Sequence, residues 1–363
     1  MSTPLQRYNF EYSTIFAFID LHKSTTVALQ FPEGLLAYSF LVASEIESHR
    51  SVECCILADD CYGACCIDDR LVQSLGIDCC IHFGHSELVP SKSLSVPFMY
   101  CKAIMPLEVD PQLPSQIFNE VSSWVKDKTQ SLVLTCTTQF VPLTNATSNL
   151  LISAGFSVNV PKCSPNLSKG ECLGCTVNRF SGDSNTVIVY IGDGRFHLEA
   201  LAMHNPDLTI LKFDPISRKL TQEYQDVDLL LQQRHQMLVN LSRKETLKIG
   251  LVLSSLGRQG SETVCKRLEQ LAKRHDNISV VVLNVRDIST EFIESFRSFV
   301  DLYVVVGCPR LPLDWGTEFQ VPLLTTHEAF KLFTKDFTER NFIPMDNFSI
   351  EGGPWANIHI NKR

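Results

Sequence analysis

The sequence has few of the features that direct a protein to a membrane or out of the cell. Its first ten residues, MSTPLQRYNF, show neither the basic start nor the apolar core of a secretory signal. No apolar run approaches the roughly 20 residues that a bilayer-spanning helix needs. We therefore expect a cytoplasmic chain with no membrane partner. Its 363 residues, 44% of them hydrophobic, can form the cores of several domains.

Positive charge and nucleotide-binding motifs are also scarce. The chain carries 32 Lys and Arg against 40 Asp and Glu, a net charge of -8, and its basic runs are as short as Arg243-Lys244. This balance argues against a nucleic-acid backbone as a direct partner. Nothing matches the phosphate-binding P-loop, and the pair Gly192 and Gly194 lacks the third glycine of the dinucleotide fingerprint. A nucleoside triphosphatase and a nicotinamide enzyme are therefore disfavoured.

Short β-branched runs alternate with helical patterns along most of the chain. Runs that are apolar throughout and too short for helices are typical of buried parallel strands. The predicted strands are Thr26-Phe31, Glu53-Leu57, Cys79-Phe83, Phe98-Ala103, Leu132-Thr137, Phe156-Val160, Val187-Ile191, Leu208-Phe213, Lys248-Leu253, Ile278-Val285, Leu302-Val306 and Val321-Thr325. The first strand of each set of four begins near residue 27, 132 or 249, which indicates a triplicated unit.

The predicted fold class is α/β, with three homologous small domains, each a four-stranded, mainly parallel sheet flanked by helices. We place these domains at residues 1–110, 111–225 and 226–335, followed by a C-terminal tail at 336–363. Leu36, Phe40, Ala43 and Glu47 are predicted to share one stripe of the first crossover helix. Residues 217–245 are predicted to form a helix that connects the second and third domains, and the tail to pack on the surface.

The fourteen cysteines are expected to be reduced, because disulfides are rare in a large chain without a secretory signal. Seven lie in predicted strands or a helix and are interpreted as core residues: Cys54, Cys55, Cys79, Cys80, Cys101, Cys136 and Cys265. The other seven lie in turns, where a thiolate can meet a metal: Cys61, Cys65, Cys66, Cys163, Cys172, Cys175 and Cys308. Each of these, taken singly, is better explained as an ordinary loop cysteine.

Two of the cysteine-bearing turns follow the ends of predicted strands. The run DDCYGACC at 59–66 follows the second strand of the first domain, and GCPR at 307–310 follows the third strand of the third domain. Ligands commonly bind at the carboxyl ends of parallel strands, so cysteines from three such edges could converge at a central site. Cys172 and Cys175 form a single CxxC pair, which without a second pair is only a weak indication of zinc.

Three glycine-bearing turns each follow a strand and open a helix, where free backbone amides attract negative groups. These turns supply five candidate binding residues: Glu33, Asp193, His197, Arg258 and Gln259. His85 and His197 follow third strands, where a lone histidine is usually a hydrogen-bonded turn residue. Asp68 and Asp69 are interpreted as a helix cap, and no Ser-His-Asp or paired-carboxylate arrangement favours hydrolysis.

Five strings occur in an order that matches one known family. They are YGACCIDD at 62–69, YIGDGRFH at 190–197, LGRQG at 256–260, and CPRL at 308–311 with DWGT at 314–317. Together, within a likeness that runs from about Phe31 to Ala329, they resemble the 2-(3-amino-3-carboxypropyl)histidine synthase family, which starts diphthamide biosynthesis.

The resemblance implies three α/β domains in a pseudo-threefold arrangement around a 4Fe-4S cluster, each domain giving one cysteine. The family positions match Cys65, Cys175 and Cys308, which are therefore the expected catalytic metal ligands. Cys163 and Cys172 are the alternatives to Cys175. Three thiolates leave one iron open for S-adenosylmethionine, the co-substrate, which the five turn residues named above are candidates to bind.

The resemblance also implies radical chemistry. Reductive cleavage of S-adenosylmethionine between sulfur and the γ-carbon would release a 3-amino-3-carboxypropyl radical, which adds to a histidine of elongation factor 2. The CxxxCxxC loop of enzymes that release a deoxyadenosyl radical does not occur in the sequence. Because all three matched cysteines are present, the chain resembles the catalytic subunit of a heterodimer with a homologous accessory subunit. A small electron-donor protein is the third implied partner.

Three alternatives stay open at this point. A quinolinate-synthase-like 4Fe-4S enzyme would have similar domains but act on small acids. A non-catalytic scaffold subunit would hold a partner and use its cysteines structurally. An archaeal type of homodimer would carry out the same reaction without an accessory subunit.

Overall fold

The structure is a computed structural model that describes residues 7–58, 61–180, 185–224, 226–286, 288–316, 319–338, 342–349 and 351–358. Asp59 and Asp60 of the DDCYGACC run and Thr317 of the DWGT string lie outside these ranges. The chain divides into two compact units. The first comprises Met1–Leu173, Gly182–Arg195 and Leu208–Glu223, and the second Gly174–Ser181, Phe196–Asp207 and Tyr224–Arg363.

The first unit begins with a four-stranded parallel sheet of β1 (Thr26–Gln30), β2 (Glu53–Leu57), β3 (Cys79–Phe83) and β4 (Phe98–Cys101). Its strand order is β2-β1-β3-β4. The accompanying helices are α1 (Tyr12–His22), α2 (Glu33–Leu36), α3 (Ser39–His49) and α4 (Asp69–Ser74). Every residue of β3 is buried, as expected of a parallel strand covered on both faces.

The predicted stripe on the first crossover helix is wrong. The segment is divided into α2 and α3, and this break changes which residues face the sheet. Val42, Ala43 and Ile46 are buried, whereas Phe40 is 77% exposed. Only Ala43 of the four predicted stripe residues is buried.

The first unit also contains a five-stranded sheet of β5 (Ser131–Cys136), β6 (Ser157–Asn159), β7 (Thr186–Ile191), β8 (Thr209–Asp214) and β9 (Lys219–Glu223). Its strand order is β6-β5-β7-β8-β9, with β9 antiparallel to β8 and the other pairs parallel. Its helices are α5 (Leu113–Trp124) and α6 (Val141–Ser153). Short 3-10 turns occur at Ser91–Ser93, Leu107–Val109 and Thr138–Phe140.

Strand β9 corrects the prediction of one helix over residues 217–245. The Asp214 carboxylate accepts hydrogen bonds from the backbone N–H groups of Ile216 at 2.9 Å and Ser217 at 3.1 Å, so the chain reverses directly after β8. Arg218 has a φ of 56°, the left-handed conformation that completes this turn. The residues that follow pair with β8, and a helix begins only at Val227.

The second unit contains the third sheet, made of β10 (Leu247–Ser254), β11 (Ile278–Val285), β12 (Leu302–Val306) and β13 (Leu323–Thr325). The strands are parallel in the order β11-β10-β12-β13. Its helices are α7 (Phe196–His204), α8 (Val227–Ser242), α9 (Glu262–Ala272), α10 (Thr290–Ser295), α11 (Arg310–Asp314) and α12 (Thr326–Thr334). Each sheet lies within one predicted domain range, and the ranges themselves stay a prediction.

The α/β class with three mainly parallel sheets is confirmed, and the second sheet has one strand more than predicted. The cap at the start of α4 is also confirmed, because the Asp68 carboxylate accepts a hydrogen bond from the N–H of Leu71 at 3.1 Å. Within the part of the chain that the structure describes, no helix combines the length and the apolar character that crossing a bilayer requires.

Candidate functional site

The turn that carries Cys65 follows β2 in the first unit. The N–H of Cys66 donates to the carbonyl of Gly63 at 2.9 Å, which closes the turn. From the end of β1, the Gln30 side-chain amide donates to the carbonyl of Cys66 at 3.0 Å. Ala64 and Cys66 are buried, whereas Cys65 between them is partly exposed. The sequence therefore presents an accessible thiol on a turn that is fixed at both sides.

Cys308 lies in the turn between β12 and α11 of the second unit. The preceding residue is glycine because a Cβ at Gly307 would come within 2.8 Å of the Cβ of Ser254, at the end of β10. The turn is thus packed directly against the neighbouring strand of the sheet. Cys308 is partly exposed, as Cys65 is.

Arg310, two residues after Cys308, anchors this turn. Its side chain is only 3% exposed, with Nη2 at 2.6 Å from Glu199 and Nε at 2.9 Å from Asp314. Burial raises the pKa of the Asp314 carboxyl, although the hydrogen bond from Arg310 acts in the opposite direction. A planar guanidinium can serve two carboxylates at once, which a lysine ammonium does with much less directional control.

Phe196, the first residue of α7, contacts both the Cys308 turn and the Cys175 turn. Arg310 donates from Nη1 to the Phe196 carbonyl at 2.6 Å, and its guanidinium carbon lies 4.4 Å from the centre of the Phe196 ring. A Cβ at Gly174 would come within 1.9 Å of the same ring, so only glycine fits before Cys175. One aromatic ring therefore lies against both turns and holds Cys175 and Cys308 in one region of the second unit.

We predicted that the C-terminal tail packs on the surface. Its residues 342–349 and 351–358 do more than this, because the tail also contributes to the Cys175 turn. The backbone N–H of Asn347 donates to the Cys175 carbonyl at 3.1 Å, and that of Phe348 donates to the Thr176 hydroxyl at 3.0 Å. Met345 is 0% exposed. Ile343, Phe348 and Ala356 are buried as well, and burial of these apolar side chains favours packing of the segment into the protein over a position on its surface.

His204, the last residue of α7, accepts a hydrogen bond at Nδ1 from the N–H of Met345 at 2.9 Å. The N–H of Ile343 also donates to the carbonyl of Met203 at 2.8 Å. Burial lowers the pKa of His204 to about 4, so its imidazole is neutral at pH 7 and can accept this bond. The end of α7 and the segment from 342 are thus held together by two closely spaced residues of each.

The two alternatives to Cys175 are buried thiols with carbonyl partners. Cys163 and Cys172 belong to the first unit and are 2% and 3% exposed. The Cys163 thiol donates to the Glu171 carbonyl at 3.1 Å, and the Cys172 thiol lies 3.5 Å from the Cys136 carbonyl. Burial is the main cause that raises the pKa of both thiols, to about 12 for Cys163. The choice of Cys175 over these two residues stays a prediction.

The seven cysteines interpreted as core residues are all in strands or in α9. Five of them are buried and Cys54 and Cys55 are partly buried. None of the fourteen cysteines, all of which lie within the described ranges, forms a disulfide.

The five candidate binding residues are distributed over both units. In the first unit, Glu33 is exposed at the start of α2 and Asp193 is exposed after β7. Surrounding protein still desolvates Asp193 in part and so raises its pKa. In the second unit, His197 and Arg258 are partly buried and Gln259 is 3% exposed. The binding role of all five residues stays a prediction.

The segment from 342 to 358 also contacts one of these candidate turns. The Asn357 side-chain amide donates to the Gln259 carbonyl at 2.8 Å. A Cβ at Gly260 would come within 2.1 Å of the Ser254 carbonyl oxygen, so glycine is required for the turn to pack against β10. The LGRQG turn and the Cys175 turn are therefore shaped by the same late segment of the chain.

A second group of metal-binding side chains was not predicted from the sequence. Cys61, His82 and His85 lie in the first unit with their possible ligand atoms all within 4.8 Å of one another. From the sequence, His82 was assigned to a core strand and His85 to an ordinary turn. They lie close to Cys61 because β1 pairs with both β2 and β3, and local sequence does not show this pairing. The close spacing of Cys61 to Cys65 was the one available signal.

The residues at Cys65, Cys175 and Cys308 fit an iron–sulfur cluster by their chemistry. Each of the three residues offers a thiol in a turn, and the thiols of Cys65 and Cys308 are partly exposed. Phe196 lies against the turns of Cys175 and Cys308. Cysteine thiolates are the usual ligands of such clusters.

Comparisons with known proteins identify related chains. The model of the family described as "Putative diphthamide synthesis protein" matches residues 31–342. The chain is 37% identical to 2-(3-amino-3-carboxypropyl)histidine synthase subunit 1 of Caenorhabditis elegans over 96% of its own length and 86% of the relative's. It is 36% identical to the protein of the same name from Dictyostelium discoideum, over 96% and 73% of the two chains.

Two crystal structures have similar folds. Dph2 from Pyrococcus horikoshii superposes with a TM-score of 0.75 and 25% identity, over 93% of this chain and 94% of that one. The structure of the same protein with a 4Fe-4S cluster gives a TM-score of 0.76 and 25% identity, over 94% and 95% of the two chains.

Proposed function

Since the chain belongs to the diphthamide synthesis protein family, we propose that it acts as the catalytic subunit that forms 2-(3-amino-3-carboxypropyl)histidine. It is a transferase of the first step of diphthamide biosynthesis, with an iron–sulfur cofactor of the kind found in its structural relative. The single observation that supports its own active site best is the contact of Phe196 with both the Cys175 and the Cys308 turns.

The proposed cluster ligands are Cys65, Cys175 and Cys308. All three are turn residues, and Cys65 and Cys308 follow the carboxyl ends of β2 and β12. When bound, a 4Fe-4S cluster with three thiolate ligands supplies an electron to S-adenosylmethionine at its open iron. Arg310 keeps the Cys308 turn in one position, because moving the turn would expose or separate buried charges.

S-adenosylmethionine is the proposed co-substrate, and the charges of the five turn residues suit it. Its sulfonium and ammonium groups are cationic and would favour the carboxylates of Glu33 and Asp193. Its carboxylate would favour the guanidinium of Arg258. His197 and Gln259 offer hydrogen-bonding groups in the second unit. These contacts would orient the bond between sulfur and the γ-carbon for cleavage and hold the 3-amino-3-carboxypropyl group for transfer.

The proposed partners follow from the same reaction. Elongation factor 2 carries the histidine that accepts the group, and a small electron-donor protein reduces the cofactor. A homologous accessory subunit is proposed because the relatives are named subunit 1. We propose that these proteins meet in the cytoplasm, and that the chain contacts neither nucleic acid nor a membrane.

The family match argues against the quinolinate-synthase-like alternative, because the related chains are named for a product on histidine. The scaffold alternative is tested directly by activity. The chain is purified without oxygen together with its accessory subunit, and iron and sulfide are quantified. Elongation factor 2 is then incubated with the complex, dithionite and S-adenosylmethionine labelled in its 3-amino-3-carboxypropyl group. We expect cluster-dependent transfer of label to the factor.

Cys175→Ser and Cys163→Ser form a matched pair for this assay. Cys175→Ser is expected to lower the iron content and abolish label transfer, because serine is a poor cluster ligand. Cys163→Ser is expected to retain both, because a hydroxyl can still donate to the Glu171 carbonyl. A loaded cluster without transfer would favour a scaffold subunit. Loss of the cluster in Cys163→Ser alone would assign the ligand role to Cys163.

A further inference from the structure

Cys61, His82 and His85 form a buried group that the proposed reaction does not use. They are 7%, 0% and 9% exposed, and their possible ligand atoms lie within 4.8 Å of one another. Cys61 comes from the turn after β2, His82 from β3, and His85 from the turn after β3. Strands β2 and β3 flank β1, so their carboxyl ends meet at one edge of the first sheet.

Hydrogen bonds orient the His82 ring toward the other two residues. The Gln30 amide nitrogen donates to the carbonyl of Cys66 at 3.0 Å, which leaves the Gln30 amide oxygen to accept from His82 Nδ1 at 2.9 Å. The His82 Nε2 lone pair therefore faces His85 Nδ1, at 2.8 Å. Metal-binding histidines are commonly held by such a hydrogen bond from the nitrogen that does not bind the metal.

We propose that Cys61, His82 and His85 bind a zinc ion, with Cys66 as the fourth ligand. Two thiolates and two imidazoles in tetrahedral geometry are a usual ligand set for zinc. Cys66 is 1% exposed, and its thiol hydrogen-bonds with that of Cys61.

The protons and charges that change when zinc binds can be accounted for. The thiols of Cys61 and Cys66 each release a proton to solvent, and the His85 proton moves from Nδ1 to Nε2. Two thiolates then neutralise the Zn²⁺ charge, so the buried site has no net charge. The His82 and His85 nitrogens, 2.8 Å apart in the structure, need to separate to about 3.3 Å for tetrahedral bonds of about 2.0 Å.

The zinc would connect the turn that carries Cys65 to the end of β3. Cys65 lies between Cys61 and Cys66 in the chain, so both sides of its turn would be attached to one ion. This effect on Cys65 rests on its proposed role as a cluster ligand. The binding of zinc itself does not rest on that role.

The test measures zinc and iron separately on the full-length chain. The protein is purified in reducing buffer without oxygen, dialysed against zinc chloride and then against metal-free buffer, and both metals are quantified by mass spectrometry. We expect about one zinc per chain, with X-ray absorption showing nitrogen ligands at about 2.0 Å and sulfur ligands at about 2.3 Å. Label transfer to elongation factor 2, measured alongside, reports on the proposed function independently.

Four variants localise the ion. Cys61→Ser is expected to weaken zinc binding by at least about 100-fold, and Gln30→Met, which removes the hydrogen bond to His82, by about 10-fold. Cys55→Ser, a partly buried thiol on β2, and Cys308→Ser are expected to leave zinc unchanged. The melting temperature with and without zinc is measured for each variant. A variant that melts like wild type without zinc, but whose melting temperature does not rise with zinc, has lost the site and not the fold.

Three results would overturn the inference. The first is wild-type protein that retains no zinc after dialysis and melts at the same temperature with and without it; the histidines would then be only a hydrogen-bonded pair. The second is zinc that depends on Cys308 and not on Cys61, since the metal would then occupy cluster ligands. Iron that depends on Cys61 would also reject zinc as the ion at this site.

Discussion

Arg310 joins a polar network to an aromatic contact beside Cys308. Its guanidinium binds Glu199 and Asp314 and lies over the Phe196 ring. These interactions need a planar group with several fixed donors, which distinguishes arginine from lysine at this position. The geometry of the Cys308 turn therefore depends on one side chain that would not itself touch the cluster.

We predict that Arg310→Lys destabilises the chain by about 2 kcal/mol, because the two carboxylates lose directed hydrogen bonds while partly buried. Urea unfolding with the same protein preparation measures this change. Arg297→Lys is the matched control: Arg297 is 54% exposed and pairs with Glu294, so a change below about 0.5 kcal/mol is expected. Equal effects of the two substitutions would mean that Arg310 has no special structural role.

At the scale of secondary-structure elements, α7 and the segment from 342 to 358 form one assembly around the Cys175 turn. His204 at the end of α7 accepts from Met345, and Asn347 donates to Cys175. The neutral state of His204 is part of this assembly, because a protonated Nδ1 could not accept the bond. Acid is therefore expected to weaken it.

His204 has a pKa of about 4 in the folded chain, below its unfolded value of about 6.5. Between these values the unfolded chain binds the proton and the folded chain does not, so stability falls as the pH falls. From pH 7 to pH 5 the contribution is about 2 kcal/mol.

The prediction is checked by urea unfolding of wild type and His204→Asn at pH 7 and pH 5. The asparagine oxygen can accept from Met345 but does not titrate in this range. Wild type is expected to lose about 2 kcal/mol more than the variant on acidification. His82 and His85 titrate in both proteins, so their contribution cancels in the comparison. Parallel losses would show that His204 is not the group responsible.

Local sequence patterns predicted the strands well and the long-range contacts poorly. Strands such as Glu53–Leu57 and Ile278–Val285 have their predicted bounds, because an apolar run of fixed length is a local signal. Strand β9 was missed because its polar residues pair with β8 at a sheet edge, where partners and not composition decide the conformation.

Of the candidate site, the positions of Cys65 and Cys308 in turns could be predicted, and the contacts that support these turns could not. Cys65 and Cys308 follow strand ends, which the sequence indicates directly. The bond from Arg310 to Phe196 spans 114 residues, and that from Phe348 to Thr176 spans 172. The Cys61, His82 and His85 group likewise needs three strands in register. Contacts of this kind leave no periodic trace in one sequence.

At the scale of the whole molecule, each sheet has its own buried core. Val27 and Ile81 lie in the first, Leu134 and Val189 in the second, and Val304 in the third, all 0% exposed. The three proposed cluster ligands lie in turns and not in these strands. The cores are therefore expected to persist without the cluster.

We predict that removing iron, by exposure to air and then to a chelator, leaves the secondary structure unchanged. Far-ultraviolet circular dichroism should give the same spectrum before and after removal. The melting temperature should fall, because the cluster binds only the folded chain, and label transfer should be lost. Reconstitution with iron and sulfide under dithionite is the control and should restore both. A large loss of helical signal on iron removal would contradict the prediction.

The Cys175 turn is completed by residues that a ribosome makes much later. Phe348 contacts Thr176 across 172 residues of sequence, so a nascent chain has the thiol long before it has the segment that shapes its turn. The Cys175 turn therefore takes its final shape only after residue 348 has been made. With Cys175 as a cluster ligand, as proposed, a chain stopped before residue 342 is expected to fold its sheets yet bind the cofactor poorly.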